Sequence, residues 1–329
     1  MYENHFGLTK HPFSMTPEPA LLYMTPGHRE ALAGLAYAIL ERKGFVLLAG
    51  EAGTGKSTLL ARTLQCLPAS RVVSSVILNP TLTESEFLEL AMLDFGFANV
   101  PASKAQRLVQ LQEFLMRVKQ AGKIAVLVID EAHKLAPSVL EEVRLLSNLE
   151  LPGEKLLQIV LAGQDEILEM LDRPELRQFS QRISVRLALS PLVPADIEQY
   201  VALRWAKAGA KAAPPFTSEA YAEVAQLSRG IPRLVNALCD NALTTAFVEK
   251  PPVVGARHVR EAARDLGLSR SVNEAAARNG GVAVMAARTG NAAENGAVPL
   301  RTSAAPEPAG QANLPGWITA LGLTRREHK

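Results

Sequence analysis

The ten residues "GEAGTGKSTL", Gly50–Leu59, constrain this chain more than any other stretch. A short apolar run, "GFVLLA", precedes the loop, and the amphipathic "KSTLLARTLQCL" runs on from its end. Gly50, Gly55, Lys56 and Ser57 satisfy the pattern G-x-x-x-x-G-K-[ST] without exception. Each residue type has a physical reason. Glycines let backbone N–H groups turn inward around phosphate oxygens, where a Cβ would clash. Gly53, Thr54 and Thr58 belong to the same cradle. The following helix offers the positive end of its dipole to the anion. Lys56 is placed to reach the β- and γ-phosphates, and the Ser57 hydroxyl to bind Mg²⁺. A strand before and a helix after complete the context for a nucleotide site.

A second motif supplies acid. "IAVLVIDEAH" ends an apolar strand with Asp130 and Glu131. In a parallel sheet, ligands gather at the carboxyl ends of the strands. Asp130 then holds Mg²⁺ through water, and Glu131 orients or deprotonates the attacking water. A carboxylate pair could instead simply face a helix N-terminus, but the phosphate loop favours the first reading. "DEAH" also spells a helicase motif. A helicase of that kind needs a second domain of similar size, and the residues after 190 are too few and helical in pattern.

Three further polar features follow. "IVLAGQDEI" ends a strand in Gln164, which could lie between the acidic pair and the γ-phosphate, or merely cap a turn. "RPELRQFSQRISVRL" sets Arg177, Arg182 and Arg186 on a helix-to-strand edge. From there an arginine, Arg182 first and Arg177 second, could reach a neighbouring subunit's nucleotide and stabilise the transferring phosphoryl group. A solvated basic face is the plainer alternative. "RGIPRLVN" places Gly230, Pro232 and Arg233 at a helix start, with Pro232 where its missing N–H costs nothing. Arg233 could bridge that helix to the γ-phosphate, so that hydrolysis alters an interdomain angle.

The chain of 329 residues divides by pattern. Residues 1–27 form a strap rich in Pro and aromatic residues. Residues 28–190 alternate helix-like and strand-like runs, including "REALAGLAYAILER", "RVVSSVILN", "SVLEEVRLLSNLE" and "RISVRLALS". That alternation predicts an α/β fold, a parallel sheet flanked by helices. Residues 191–268 give four helical patterns and no convincing strand, a small all-helical lid. Residues 269–313 are low in aromatic content and bury too little apolar surface to order, so a disordered linker is expected. Residues 314–329, "LPGWITALGLTRREHK", regain apolar residues and suggest a short docking helix or a frayed end.

Composition excludes several classes. The net charge of +2 gives no field that demands nucleic acid. Cys66 and Cys239 have no metal-ligand spacing and read as idle thiols in a reducing compartment. The start "MYENHFGLTKHPFSMTPEP" lacks the features of a signal peptide. No segment approaches the ~18 apolar residues of a transmembrane helix. A cytoplasmic protein is expected.

The motifs in order, "GEAGTGKST", "LVIDEAH", "LAGQ", "QRI" and "GIPRLVN", resemble an AAA+ ATPase, a P-loop NTPase. The strap "YENHFGLTKHPFSMTPEP", "LYMTPGHREAL" and "NLELPGEKLLQIVLAGQDEI" narrow the resemblance to the general-secretion-pathway protein A (ExeA-type) family, over about residues 1–268. The resemblance implies an α/β core with a helical lid, ATP with Mg²⁺, and activity as a homo-oligomer. It implies Walker roles for Lys56, Ser57, Asp130 and Glu131, and sensor positions for Gln164 and Arg233. His28 falls where the family's strap approaches the adenine, with Phe13 and Tyr23 as packing partners. Full-length secretion members continue into a membrane helix and a peptidoglycan-binding domain, whereas a low-complexity tail follows here. Shorter members resemble ATPases of polysaccharide-export loci and of transposition systems. The expected function is ATP hydrolysis coupled to assembly or regulation of an envelope secretion or polysaccharide-export machine. A membrane-protein partner would meet the C-terminal tail, peripheral to the inner membrane. A DNA-dependent ATPase of the transposition target-selection type is the alternative, disfavoured by the near-neutral charge.

Overall fold

A computed structural model describes residues 2–78, 80–251 and 253–268. The linker and docking helix expected over 269–313 and 314–329 lie outside the described residues. Met1–Val259 forms one compact unit.

The strands are β1 (Phe45–Gly50), β2 (Val72–Ile77), β3 (Ile124–Ile129), β4 (Glu150–Leu151), β5 (Glu154–Lys155), β6 (Leu157–Gly163) and β7 (Ile183–Leu189). Through the α/β part run the helices α1 (Pro26–Leu40), α2 (Lys56–Cys66), α3 (Glu84–Asp94), α4 (Lys104–Gln120), α5 (Pro137–Leu146), α6 (Glu166–Leu171) and α7 (Arg177–Ser180). Four more follow: α8 (Ile197–Lys207), α9 (Ser218–Ser228), α10 (Pro232–Glu249) and α11 (Ala256–Asp265).

Five strands form one parallel sheet in the order β2-β3-β6-β1-β7. Burial explains the order. Every residue of β1, β3 and β6 is buried, as continuous apolar runs such as "FVLLAG" and "IAVLVI" require. The edge strand β7 alternates exposed and covered residues. Helices α1, α2, α3 and α4 pack on these strands. The order sets the chemistry, because β6 lies between β1, which feeds the glycine loop, and β3, which ends at the acidic pair.

One stretch departs from its sequence pattern. "SVLEEVRLLSNLE" reads as helical throughout, yet α5 stops at Leu146. The chain then forms the antiparallel hairpin β4–β5 across Pro152-Gly153. Pro and Gly at the centre of a turn override the helical periodicity that precedes them. Glu154 fixes the hairpin to the core through Arg42, at 3.1 Å, and Lys119.

The N-terminal residues lie across the later helices. Thr9 N–H donates to Ala208 O at 2.8 Å, and Phe6 meets the Trp205 ring edge-on. The Arg204 guanidinium donates to Pro12 O at 2.8 Å and Ser14 O at 3.0 Å. Phe13 is 1% exposed, so core packing accounts for it. Thr25 caps α1, whose first residue is Pro26. In the helical part, the sole strand-like feature among the described residues is an isolated bridge between Phe216 and Val254.

The start of α10 is fixed by backbone. Leu192 N–H donates to Gly230 O at 2.8 Å, and Gly230 holds φ +75°. A Cβ there would stand 2.0 Å from Leu192 O. Gly122, after α4, has a similar φ of +70° and open space around it. Gly230→Ala should therefore cost about 3 kcal/mol, strain plus a backbone clash, against about 1 kcal/mol for Gly122→Ala. Chemical denaturation of the two variants checks the difference; equal losses would contradict it.

Candidate nucleotide site

Gly50 ends β1, and Gly55, in the left-handed region at φ +100°, starts α2. The turn between them puts Lys56, Ser57 and Thr58 in the first helical turn. Lys56 is 5% exposed, and its Nζ donates to Gly50 O at 2.7 Å and Glu51 O at 3.0 Å. Burial lowers its ammonium pKa, opposed by the charges of Glu131 and Asp130. An anion in the loop would give this buried cation a charged partner.

Asp130 and Glu131 follow directly on β3. The Ser57 hydroxyl donates to Asp130 Oδ2 at 2.5 Å. Asp130 is 4% exposed, and its other oxygen accepts from Glu131 N–H at 2.9 Å. Glu131 sits in the left-handed region, φ 55° and ψ 33°. No sequence pattern announces that conformation, since glutamate rarely adopts it. Its carboxylate is 3.0 Å from Lys134 Nζ and 3.6 Å from His133 Nε2, and the Gln164 side chain hydrogen-bonds it. Burial alone would raise this carboxyl, but these contacts outweigh it and hold the pKa below the usual range.

A cavity of about 360 Å³ opens over the loop. Its walls include Gly53, Thr54, Gly55, Lys56, Ser57, Thr58 and Glu131. His28 and Arg233 also line it. His28 is 2% exposed. Its Nδ1 pairs with Thr25 Oγ1 at 2.7 Å and its Nε2 with Thr54 O at 3.3 Å. Thr54 O can only accept, so the ring proton sits on Nε2 and the Thr25 hydroxyl donates to Nδ1. Burial lowers the ring pKa, which agrees with a neutral imidazole. Arg233 N–H donates to Gly53 O at 3.3 Å, and a Cβ on Gly53 would stand 2.8 Å from Arg233 Cβ. The α10 N-terminus thus rests on the phosphate loop.

Gln164, Arg177, Arg182 and Arg186 lie outside the cavity wall. Gln164, at the end of β6, reaches the cavity only through Glu131. Arg182 is held at the C-terminal end of α5, where Nη1 donates to Asn148 Oδ1 at 2.7 Å and Ser147 Oγ at 2.8 Å. Arg186 donates to Ser180, and Arg177 is exposed.

The cavity also has walls that sequence motifs do not mark. The strap contributes Met15, Pro17 and Leu22, facing Leu192. Behind them Arg204 donates to Tyr200 Oη at 3.3 Å, which donates to Asn236 Oδ1 at 2.7 Å. Tyr23 Oη donates to Gln199 Oε1 at 2.9 Å, and its ring meets Tyr200 edge-on. The aromatic density of the strap is the one signal that could have located these contacts.

The left-handed backbone at Glu131 predicts opposite effects on stability and on the site. Glu131→Gly should relieve about 1 kcal/mol of backbone strain. The half-exposed Lys134 contact that it removes contributes little. The variant should unfold at a higher temperature than the parent in thermal melts; a lower one would show that the carboxylate's contacts outweigh the strain.

Comparison with known proteins bears on the family and the fold. A family model described as an AAA domain matches residues 39–171. The chain is 45% identical over 248 residues to the general secretion pathway protein A of Aeromonas hydrophila. That alignment covers 75% of this chain and 45% of the relative, so the chain spans less than half the relative's length. Among solved structures, the Aeropyrum pernix ORC2 protein in its ADPNP–ADP complexes superposes with a TM-score of 0.59 at 16% identity, covering 78% of this chain and 71% of that one. Cdc6p from Pyrobaculum aerophilum gives 0.58 at 17% identity, covering 77% and 70%. The Aeropyrum pernix ORC1 protein in complex with DNA gives 0.57 at 20% identity, covering 75% and 68%. At such identities the likeness to the solved structures is one of fold. Among the described residues no helix is long and apolar enough to cross a membrane. The chain is an AAA+ P-loop protein, related over three quarters of its length to general secretion pathway protein A.

Proposed function

We propose that the chain binds ATP with Mg²⁺ and hydrolyses it, and that a second copy and the α8–α10 helices complete the site. The observation that carries this reading is the Ser57–Asp130 hydrogen bond of 2.5 Å beside Lys56 and Glu131. It brings a hydroxyl and a carboxylate together, the oxygen donors that a hard divalent cation takes. The residues therefore fit Mg²⁺, with Ser57 and Asp130 as its holders. When bound, the ion offsets phosphate charge.

Each remaining role belongs to a residue of the chain. The loop amides from Gly50, Gly53, Thr54 and Gly55 to Thr58 cradle the phosphates, and Lys56 turns from its own loop carbonyls to the γ-phosphate. Glu131 accepts a proton from the attacking water, and Gln164 steadies that carboxylate. Arg233 senses the γ-phosphate from the start of α10, and His28 holds the loop at Thr54 beneath the base. Arg182 acts on the nucleotide of a second copy. Its hydrogen bonds among the described residues all use Nη1, leaving Nε and Nη2 for that partner.

The work driven by hydrolysis is assembly or regulation of an envelope secretion or polysaccharide-export machine. Support comes from the 45% identity to general secretion pathway protein A, which covers under half of that relative. The membrane partner would meet the tail beyond residue 268. A DNA-dependent ATPase remains the competing reading, and the ORC1 likeness keeps it in view. Strong stimulation by duplex DNA that fades with added salt would favour it.

Glu131→Gln should retain ATP binding and lose about 100-fold or more of turnover. Mixing it with Arg182→Ala protein should restore part of the activity, because the intact Arg182 of the first then reaches the site that holds the intact Glu131 of the second. Parent-level turnover by Glu131→Gln would overturn the base assignment. Absence of rescue at every mixing ratio would overturn the role of Arg182 in trans.

A further inference from the structure

The last residue of "DEAH", His133, has no part in the roles above. It lies in the 3₁₀ turn Ala132–Lys134 that follows β3. That turn abuts the end of β6 closely: a Cβ on Gly163 would stand 3.3 Å from His133 N. The imidazole is mostly covered, at 13% side-chain exposure. Gln164 N–H donates to His133 Nδ1 at 3.2 Å. A ring nitrogen that accepts carries no proton, so the neutral ring bears its proton on Nε2. That nitrogen is 3.6 Å from Glu131 Oε2.

We infer that His133 is a positioning residue for Glu131, presenting a backbone-anchored Nε2–H that sets the carboxylate's direction toward water. The inference rests on the proposed role of Glu131. Two cations or donors face that carboxylate from its own turn, and they differ in kind. Lys134 is nearer, at 3.0 Å, but its side chain is half exposed and flexible. His133 is covered and fixed by the end of β6, the strand between the phosphate loop and the acidic pair. At 3.6 Å the imidazole is just beyond a direct hydrogen bond, so a small turn of the carboxylate away from Lys134 brings it into range. In the working state Glu131 leaves Lys134 for His133. Gln164 contributes twice, through its side chain to Glu131 and its backbone to the ring.

Two substitutions separate positioning from a purely structural tie. In His133→Gln the side-chain amide nitrogen falls near the imidazole Nε2 position, which keeps the donor and gives up the Nδ1 anchor. In His133→Asn the amide falls near Nδ1, which keeps the β6 tie and gives up the donor. Steady-state ATP hydrolysis and thermal melts of the full chain supply the readouts. His133→Asn should lose about tenfold in kcat with KM for ATP and melting temperature near the parent's, while His133→Gln keeps most of the parental kcat. Adding His133→Asn to Glu131→Gln should cause no further loss, since the imidazole acts through that carboxylate. The reverse order of the two variants, or parental kcat in both, would overturn the positioning role while leaving the ATPase reading intact. Parental turnover by Glu131→Gln alone would overturn both.

Discussion

Everything at this site depends on a short hydrogen bond between two elements that are not neighbours in the sheet. Ser57 lies in the first turn of α2, Asp130 follows β3, and the whole of β6 separates the strands that feed them. The bond forms because β1, β3 and β6 are buried along their full length and must share the sheet's interior, with Gln158, the one polar side chain among them, satisfied by Gly44 N–H and Lys155 O. Once those three strands lie in parallel, their carboxyl ends fall together. The glycine loop, the acidic pair and Gln164 then meet at one edge. The position of the chemistry is a consequence of burying three strands.

The rest of the unit closes over that edge. The strap binds α8 through Arg204 and then lines the cavity, and His28 docks on the loop carbonyl of Thr54. From the other side α10 lays Arg233 against Gly53. The buried run from Arg204 through Tyr200 to Asn236 joins the two coverings. A polar network that is both buried and satisfied specifies one arrangement, because a half-satisfied alternative is costly. The strap and helices α8 and α10 therefore share a common fixed point beside the cavity.

Much of this was legible in residue order. "GFVLLAG" and "IAVLVI" declare buried strands by lacking any polar face, and the glycine loop declares its ligand class by spacing. The hairpin after α5 was not legible, because strands of two residues carry no period and the helical pattern runs into them. The partners of the strap are also hidden, since Pro12 and Arg204 are far apart in sequence and no local signal joins them. The sequence offers Arg182 as a reach toward a neighbouring subunit or as a solvated basic face, and gives no sign that the end of α5 holds its Nη1. The left-handed turn at Glu131 is likewise invisible, because that backbone is usually signalled by Gly or Asn and here is imposed by its surroundings. That turn brings His133 near the carboxylate.

The central claim is that the Ser57–Asp130 pair and the glycine loop form one site for a metal-bound nucleotide. Calorimetric titration of the full chain with ATP, in Mg²⁺ and then in excess chelator, tests it most directly. The account predicts that Mg²⁺ tightens binding in the parent and that Asp130→Asn loses this gain while still binding the nucleotide. Equal affinities with and without Mg²⁺ in the parent would contradict it.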